Sequence, residues 1–294
     1  MRRPQGHPIN GLLVPWRRYA WLFLVLLAGC AAPGGQAWLH LSQKARDNGF
    51  KPVNFSSTPF LLAGLLKGQP GADDLVVYLE GDGRGVVRGH VTQDPTPGQP
   101  LSYELAESDP APAVLYLARI GQYQPTQTGP EFQPYWSEKR LAEEAVAAAD
   151  SAIDEVKRRL EARRIHLVGY SGGGGLATLL AQRRTDVASL VTVAGLLDTQ
   201  WWVREKNYHP LTGSLNPADQ AASLTDLPQV HFYGAFDYII PGAMSGHFQS
   251  LAPFTRFQRV EVQTNHWKNW AEWWPDLLKM HVLPLRSLAV AQPL

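Results

Sequence analysis

The stretch Ile165-His166-Leu167-Val168-Gly169-Tyr170-Ser171-Gly172-Gly173-Gly174-Gly175-Leu176-Ala177 decides how the rest of the chain is read. An apolar run ends at Gly169, a serine follows in a Gly-x-Ser-x-Gly spacing, and small residues lead into a helical pattern. A serine on a sharp strand-to-helix bend sits in strained backbone, with its hydroxyl pushed out above the sheet. Gly169 and Gly173 are small where neighbouring backbone crowds together. The Gly172 amide, at the start of the helix, then points toward a reacting carbonyl. Ser171 is therefore a candidate nucleophile, and Tyr170 beside it a candidate substrate contact. The competing reading is a glycine-rich turn with an incidental serine. A phosphate loop fits poorly, because the four glycines are contiguous and no Gly-Lys-Ser/Thr follows.

Outward from this bend, strand and helix patterns alternate. Continuous apolar runs at 75–79, 113–118, 165–168 and 190–194 suit strands buried on both faces of a parallel sheet. Further strands are expected at 60–66, 230–234 and 259–263. Leu141, Ala145, Ala148, Ala152, Val156 and Leu160 recur at helical spacing, which predicts a helix capped by Ser137 and running to about Arg164. Shorter helices are expected near 103–105, at 243–251 and over 267–280. The alternation predicts an α/β fold, an open and mainly parallel sheet covered on both faces. Residues 196–227 are irregular and aromatic, and read as a small cap with Trp201, Trp202 and His209 as candidate substrate contacts.

A serine hydroxyl is a weak nucleophile until a base takes its proton, and the base needs an orienting acid. His266, in Asn265-His266-Trp267 after the last expected strand, is the candidate base. Asp237, in Gly234-Ala235-Phe236-Asp237 after the strand before it, is the candidate acid, with Asp198 as the alternative. His247 follows Asp237 by only ten residues, and His231 and His166 lie in or beside strands, where packing is the expected role. An oxyanion hole needs a second amide besides that of Gly172. The turn Glu80-Gly81-Asp82-Gly83 is placed to supply it from the backbone of Gly81, Asp82 or Gly83. Arg119 either binds an anionic group or pairs with an acidic loop residue.

The segments 169–173, 234–241 and 265–267 resemble the nucleophile elbow, acid loop and histidine loop of the α/β-hydrolase superfamily. Tyr78-Leu79-Glu80-Gly81-Asp82-Gly83, Leu117-Ala118-Arg119 with Gln122-Tyr123, and Ser214-Leu215-Asn216-Pro217 resemble a group of bacterial α/β-hydrolase lipoproteins of poorly defined activity. The resemblance covers roughly residues 55–285. It implies a serine hydrolase, esterase-like, using Ser171, Asp237 and His266 through an acyl-enzyme and needing no cofactor or metal. A peptidase or amidase on the same residues, and a non-catalytic binding lipoprotein, remain the alternatives. One departure is Glu80, where many members of the superfamily carry His before the first glycine.

The chain of 294 residues carries 27 basic and 26 acidic side chains, so nothing points to a nucleic-acid partner. Arg2, Arg3, Arg17 and Arg18 precede an apolar run from Tyr19, and Leu27-Ala28-Gly29-Cys30 closes it. The run to Ala32 is shorter than the ~20 residues that span a bilayer. This is the pattern of a secretory signal, 1–29, with Cys30, the chain's one cysteine, at the cleavage point. It resembles a lipoprotein signal in which Cys30 is lipidated, followed by a tether over 30–54 and a single domain over 55–294. The expected location is the cell envelope, at the periplasmic face of the outer membrane in a Gram-negative host. With that cysteine spent on the anchor, no disulfide or cysteine-based metal site is expected in the body.

Overall fold

The computed structural model describes residues 33–290; the expected signal segment and Cys30 lie outside the described residues. The strands are β1 (Lys51–Ser57), β2 (Phe60–Lys67), β3 (Asp74–Leu79), β4 (Val86–Val87), β5 (His90–Val91), β6 (Val114–Leu117), β7 (Arg164–Tyr170), β8 (Val187–Val193), β9 (Gln229–Gly234) and β10 (Phe257–Val262). Eight of them form one sheet in the order β1-β2-β6-β3-β7-β8-β9-β10, while β4 and β5 make a small hairpin. β2 is antiparallel to both β1 and β6, and every neighbouring pair from β6 across to β10 is parallel.

The helices are α1 (Pro33–Asp47), α2 (Leu101–Glu107), α3 (Glu143–Leu160), α4 (Gly172–Arg183), α5 (Thr199–Lys206), α6 (Ala243–Gln249), α7 (Trp270–Leu277) and α8 (Leu283–Val290). Strand side chains alternate between two cores, as the pleat requires. Leu75, Val77 and Leu79 of β3, with Leu115 and Leu117 of β6, pack with Val146, Ile153 and Val156 of α3 and Leu176 and Leu180 of α4. Val76, Tyr78, Val114 and Tyr116 point the other way, and pack with Leu41 of α1, Leu105 of α2 and Trp274 of α7. The apolar runs are continuous because both faces of these strands are covered.

Three expectations differ from the structure. Residues 33–54 are not a tether: α1 and β1 occupy them, and Leu41, Ala45 and Phe50 are buried. The long helix does not start at Ser137, whose hydroxyl donates to the Gln133 carbonyl of a preceding 3-10 turn; α3 begins at Glu143, after Ala142. It stops at Leu160 because Glu161 turns left-handed (φ +59°), and Arg163 and Arg164 then donate to the Asp73 carbonyl, starting β7. The segment 196–227 is partly regular, holding α5 and a 3-10 helix over Pro217–Leu224. Trp202, Ala221 and Leu224 bury it against the α3–α4 core.

Candidate active site

β7 runs through the middle of the parallel strands, so the bend at its end lies at the centre of one sheet edge. Ser171 occupies that bend with φ +53° and ψ −121°, a conformation that side chains other than glycine rarely adopt. The surroundings enforce it: the Ser171 amide donates to Val193 of β8, and its carbonyl accepts from Gly174 and Leu196. Gly173 is required here, because a Cβ would run into the carbonyl oxygens of Leu79 and Glu80.

His266 and Asp237 come to Ser171 from the ends of β10 and β9. His266 Nε2 lies 3.0 Å from Ser171 Oγ, and His266 Nδ1 lies 2.8 Å from Asp237 Oδ2. All three residues are buried. An ionised carboxylate only accepts, so the proton sits on Nδ1 and Nε2 is left free to accept from the serine hydroxyl. Asp237 is fixed in turn, since its Oδ1 accepts the amides of Ile239 and Ile240, each at 2.8 Å. The His266 carbonyl accepts from Tyr170 Oη at 3.0 Å and Trp270 Nε1 at 3.1 Å, which pins the histidine loop to the elbow. Burial pushes the Tyr170 phenol up, so it remains a donor. Tyr170 thus serves the histidine loop, and its ring lies 5.4 Å from the imidazole.

Asp198, the alternative acid, is not brought to His266. It caps α5 by accepting from Gln200 and Trp201, and its other oxygen lies 3.0 Å from His247 Nε2. His231 is held between Thr192 and Gln229, and His166 by Ser189, so both are packing residues. Burial lowers the pKa of His166 to about 4, and His231 is lowered further to about 3, so both stay neutral.

The oxyanion candidates separate. Gly172, the first residue of α4, has no intrahelical acceptor for its N–H. The Gly81 amide is already spent on the Glu80 carboxylate at 2.9 Å, which removes it as a donor. Gly83, at φ +58°, packs its α-carbon against the Pro95 carbonyl and the Gln122 side chain, away from the elbow that Gly81 abuts, and its amide has no acceptor among the described residues. The Asp82 amide has no acceptor among the described residues and remains. The Asp82 carboxylate lies against Gly172 and pairs with Arg140 Nη1 at 2.7 Å and Arg119 Nη1 at 3.3 Å. Burial alone would raise its pKa, but the two guanidinium charges hold it below the usual carboxylate value. Arg119 therefore pairs with an acidic loop residue, and it also donates to the Arg140 carbonyl.

Solved structures share this architecture. Est1E from Butyrivibrio proteoclasticus superposes with a TM-score of 0.58 and 14% identity, over 80% of this chain and 99% of that one. The α/β hydrolase GrgF from Penicillium sp. sh18 gives 0.59 and 11%, over 82% and 99%. Acylaminoacyl peptidase from Pyrococcus horikoshii gives 0.56 and 15%, over 81% of this chain but 41% of that longer one. This chain has the α/β-hydrolase fold. No protein-family model matches the sequence, and no curated protein matches it.

Within the α/β-hydrolase fold, the segment between β8 and β9 contributes Trp202, whose Nε1 donates to the Ile239 carbonyl of the acid loop. Its ring also lies 5.7 Å from the Arg140 guanidinium. Trp201 stacks on His247 instead, at 5.8 Å, and His209 is exposed with no hydrogen bond to the triad. Sequence reasoning missed Arg140, which reaches Asp82 from 58 positions away. It also missed three exposed aromatics next to Asp237 and His266 in the chain. Phe236 and Tyr238 flank Asp237, Trp267 follows His266, and all three are exposed, at 67%, 64% and 47%. Large aromatics on either side of a candidate catalytic residue were the available signal. Among the described residues there is no metal-binding cluster, and no helix is long and apolar enough to cross a membrane.

Proposed function

We propose that the protein is a lipid-anchored serine hydrolase acting on carboxylic esters. The observation that carries this reading is the hydrogen-bonded line from Asp237 through His266 to Ser171, ending on a serine in strained backbone at the start of α4. Ser171 Oγ attacks the ester carbonyl while His266 Nε2 takes its proton, and Asp237 stabilises the imidazolium that forms. The carbonyl oxygen becomes an oxyanion and accepts from the Gly172 and Asp82 amides. His266 returns the proton to the departing alcohol, leaving an acyl-Ser171 ester. Water, activated by the same imidazole, then releases the acid and restores the serine. The exposed Phe236, Tyr238 and Trp267 suit a substrate with an apolar or aromatic group next to its ester.

The test is labelling by a fluorophosphonate, with hydrolysis of 4-nitrophenyl esters of graded chain length. Labelling and turnover in the wild type, both lost in Ser171→Ala, are the expected results. A folded wild-type protein that neither labels nor turns over an ester refutes the reading. Lipidation at Cys30 in the cell envelope belongs to the same proposal and has its own test. Cys30→Ser should move the protein from the membrane to the soluble fraction, and unchanged membrane retention would count against the anchor.

A further inference from the structure

Two residues outside Ser171, His266 and Asp237 hold Gly81 at its N–H and its C=O. Glu80 is 1% exposed, and its carboxylate folds back so that Oε1 accepts the Gly81 N–H at 2.9 Å while Oε2 accepts from Tyr116 Oη at 3.1 Å. Its own amide donates to Leu117 of β6, so the residue is anchored to the sheet. Gln122, also 1% exposed, donates from Nε2 to the Gly81 carbonyl at 2.8 Å. Its Oε1 accepts from the Arg119 amide at 3.0 Å, so this side chain cannot rotate freely.

Gly81 is therefore clamped at both ends, N–H by Glu80 and C=O by Gln122. In a trans peptide the carbonyl of one residue and the N–H of the next point in opposite directions. Gln122 pulls the Gly81 carbonyl one way, which sends the Asp82 N–H the other way. The α-carbon of Gly81 abuts the elbow: a Cβ built there would lie 2.9 Å from the Tyr170 ring and 3.3 Å from Ser171 Cβ. The free Asp82 amide thus belongs to a peptide fixed beside the nucleophile.

We propose that Glu80 and Gln122 are positioning residues that together aim the Asp82 N–H at the oxygen of the tetrahedral intermediate formed on Ser171. The inference rests on the hydrolase reading. It gives a purpose to Glu80, the departure from the histidine that many members of the superfamily carry there: the carboxyl side chain takes the Gly81 amide and leaves the next one free. Burial pushes Glu80 up to about 7, against the lowering hydrogen bonds from Gly81 and Tyr116. Both protonation states keep an oxygen able to accept from Gly81, because the Tyr116 hydroxyl can turn to accept from a neutral carboxyl. Glutamine is consequently a fair substitute at 80, whereas methionine keeps the volume and loses the acceptor.

The experiment uses 4-nitrophenyl butyrate turnover and inhibition by an alkylboronic acid, which forms a tetrahedral adduct on the serine. Deleting an oxyanion donor outright costs about 10²–10³ in kcat; misaiming one should cost roughly 10- to 100-fold. Glu80→Met and Gln122→Met are each expected to lower kcat in that range, with KM changed less than about threefold. Boronic acid affinity should fall in parallel with kcat, because both report the tetrahedral state. Glu80→Gln should restore kcat to within about fivefold of wild type. The double Met variant should lose little more than the worse single one, since both side chains hold the same residue, Gly81. If Glu80→Met does not fold, Gln122→Met carries the test. The inference is overturned if folded Met variants keep kcat within about threefold of an active wild type. It is also overturned if they lose kcat without losing boronic acid affinity. A wild type with no turnover and no Ser171 labelling fails the hydrolase reading itself, and that outcome is distinct from the other two.

Discussion

Asp237→Asn is the sharpest test of how the three residues work. Asp237 Oδ1 accepts two backbone amides, from Ile239 and Ile240. An asparagine there must keep its carbonyl oxygen in the Oδ1 place, because an NH2 group would face two donors. The amide nitrogen is then forced into the Oδ2 position, 2.8 Å from His266 Nδ1. It can only donate, so Nδ1 becomes an acceptor and the imidazole proton moves to Nε2. That proton points at Ser171 Oγ, 3.0 Å away, where the mechanism needs a lone pair. The wrong tautomer removes the base without disturbing the packing. The expected loss is about 10⁴ in kcat, equivalent to roughly 5 kcal/mol of barrier. Ester turnover is the assay, with circular dichroism to show that the fold is intact. Asp198→Asn is the control: Asp198 serves α5 and His247, so kcat should stay within about tenfold of wild type. A greater loss from Asp198→Asn than from Asp237→Asn, or a mere tenfold loss from the latter, would refute the tautomer argument.

Two further expectations concern stability. Gly173→Ala places a methyl against the Leu79 and Glu80 carbonyls, which are backbone atoms held by β3. Overpacking of about 1–3 kcal/mol should lower the melting temperature by roughly 2–12 °C, and an unchanged melting curve would contradict the crowding described at the elbow. Glu80 has a native pKa raised by burial to about 7 from 4.5. The stability linked to it is fully present below about pH 4.5 and is lost as pH rises through about 7, by up to about 3 kcal/mol. Urea unfolding of wild type and Glu80→Gln across this window should show the variant gaining relative stability as pH rises. A difference that does not change with pH would show that Glu80 titrates normally. Burial pushes the Tyr116 and Tyr123 phenols beside the same carboxyl further up, so neither titrates in this window.

Much of this was legible in the chain itself. The apolar runs of β3, β6, β7 and β8 are continuous because helices cover both faces of the parallel sheet, and the run itself can be read locally. The elbow was legible because a sharp, crowded bend at a strand-to-helix junction demands small residues on either side of the serine. Asp237 and His266 were readable as residues in turns after β9 and β10. What remained hidden was competition between polar groups far apart in sequence. Asp198 and Asp237 are equivalent as letters; His247 takes the first, and two backbone amides with His266 take the second. Gly81, Asp82 and Gly83 present three identical amides in sequence. Only the fold brings Glu80 back onto the first and leaves the Asp82 amide free on a residue next to Gly81, which abuts the elbow. Arg140 reaches Asp82 because α3 starts late, after a 3-10 turn that helical periodicity does not register. The sequence by itself determined the alternation of strands and helices and the strand-to-helix bend at Ser171, because these follow from local spacing of apolar and small residues. The tertiary structure alone decided which acid meets His266, which amide stays free and which arginines pair with Asp82, because a hydrogen-bonding group commits to whichever partner the packed chain brings within about 3 Å.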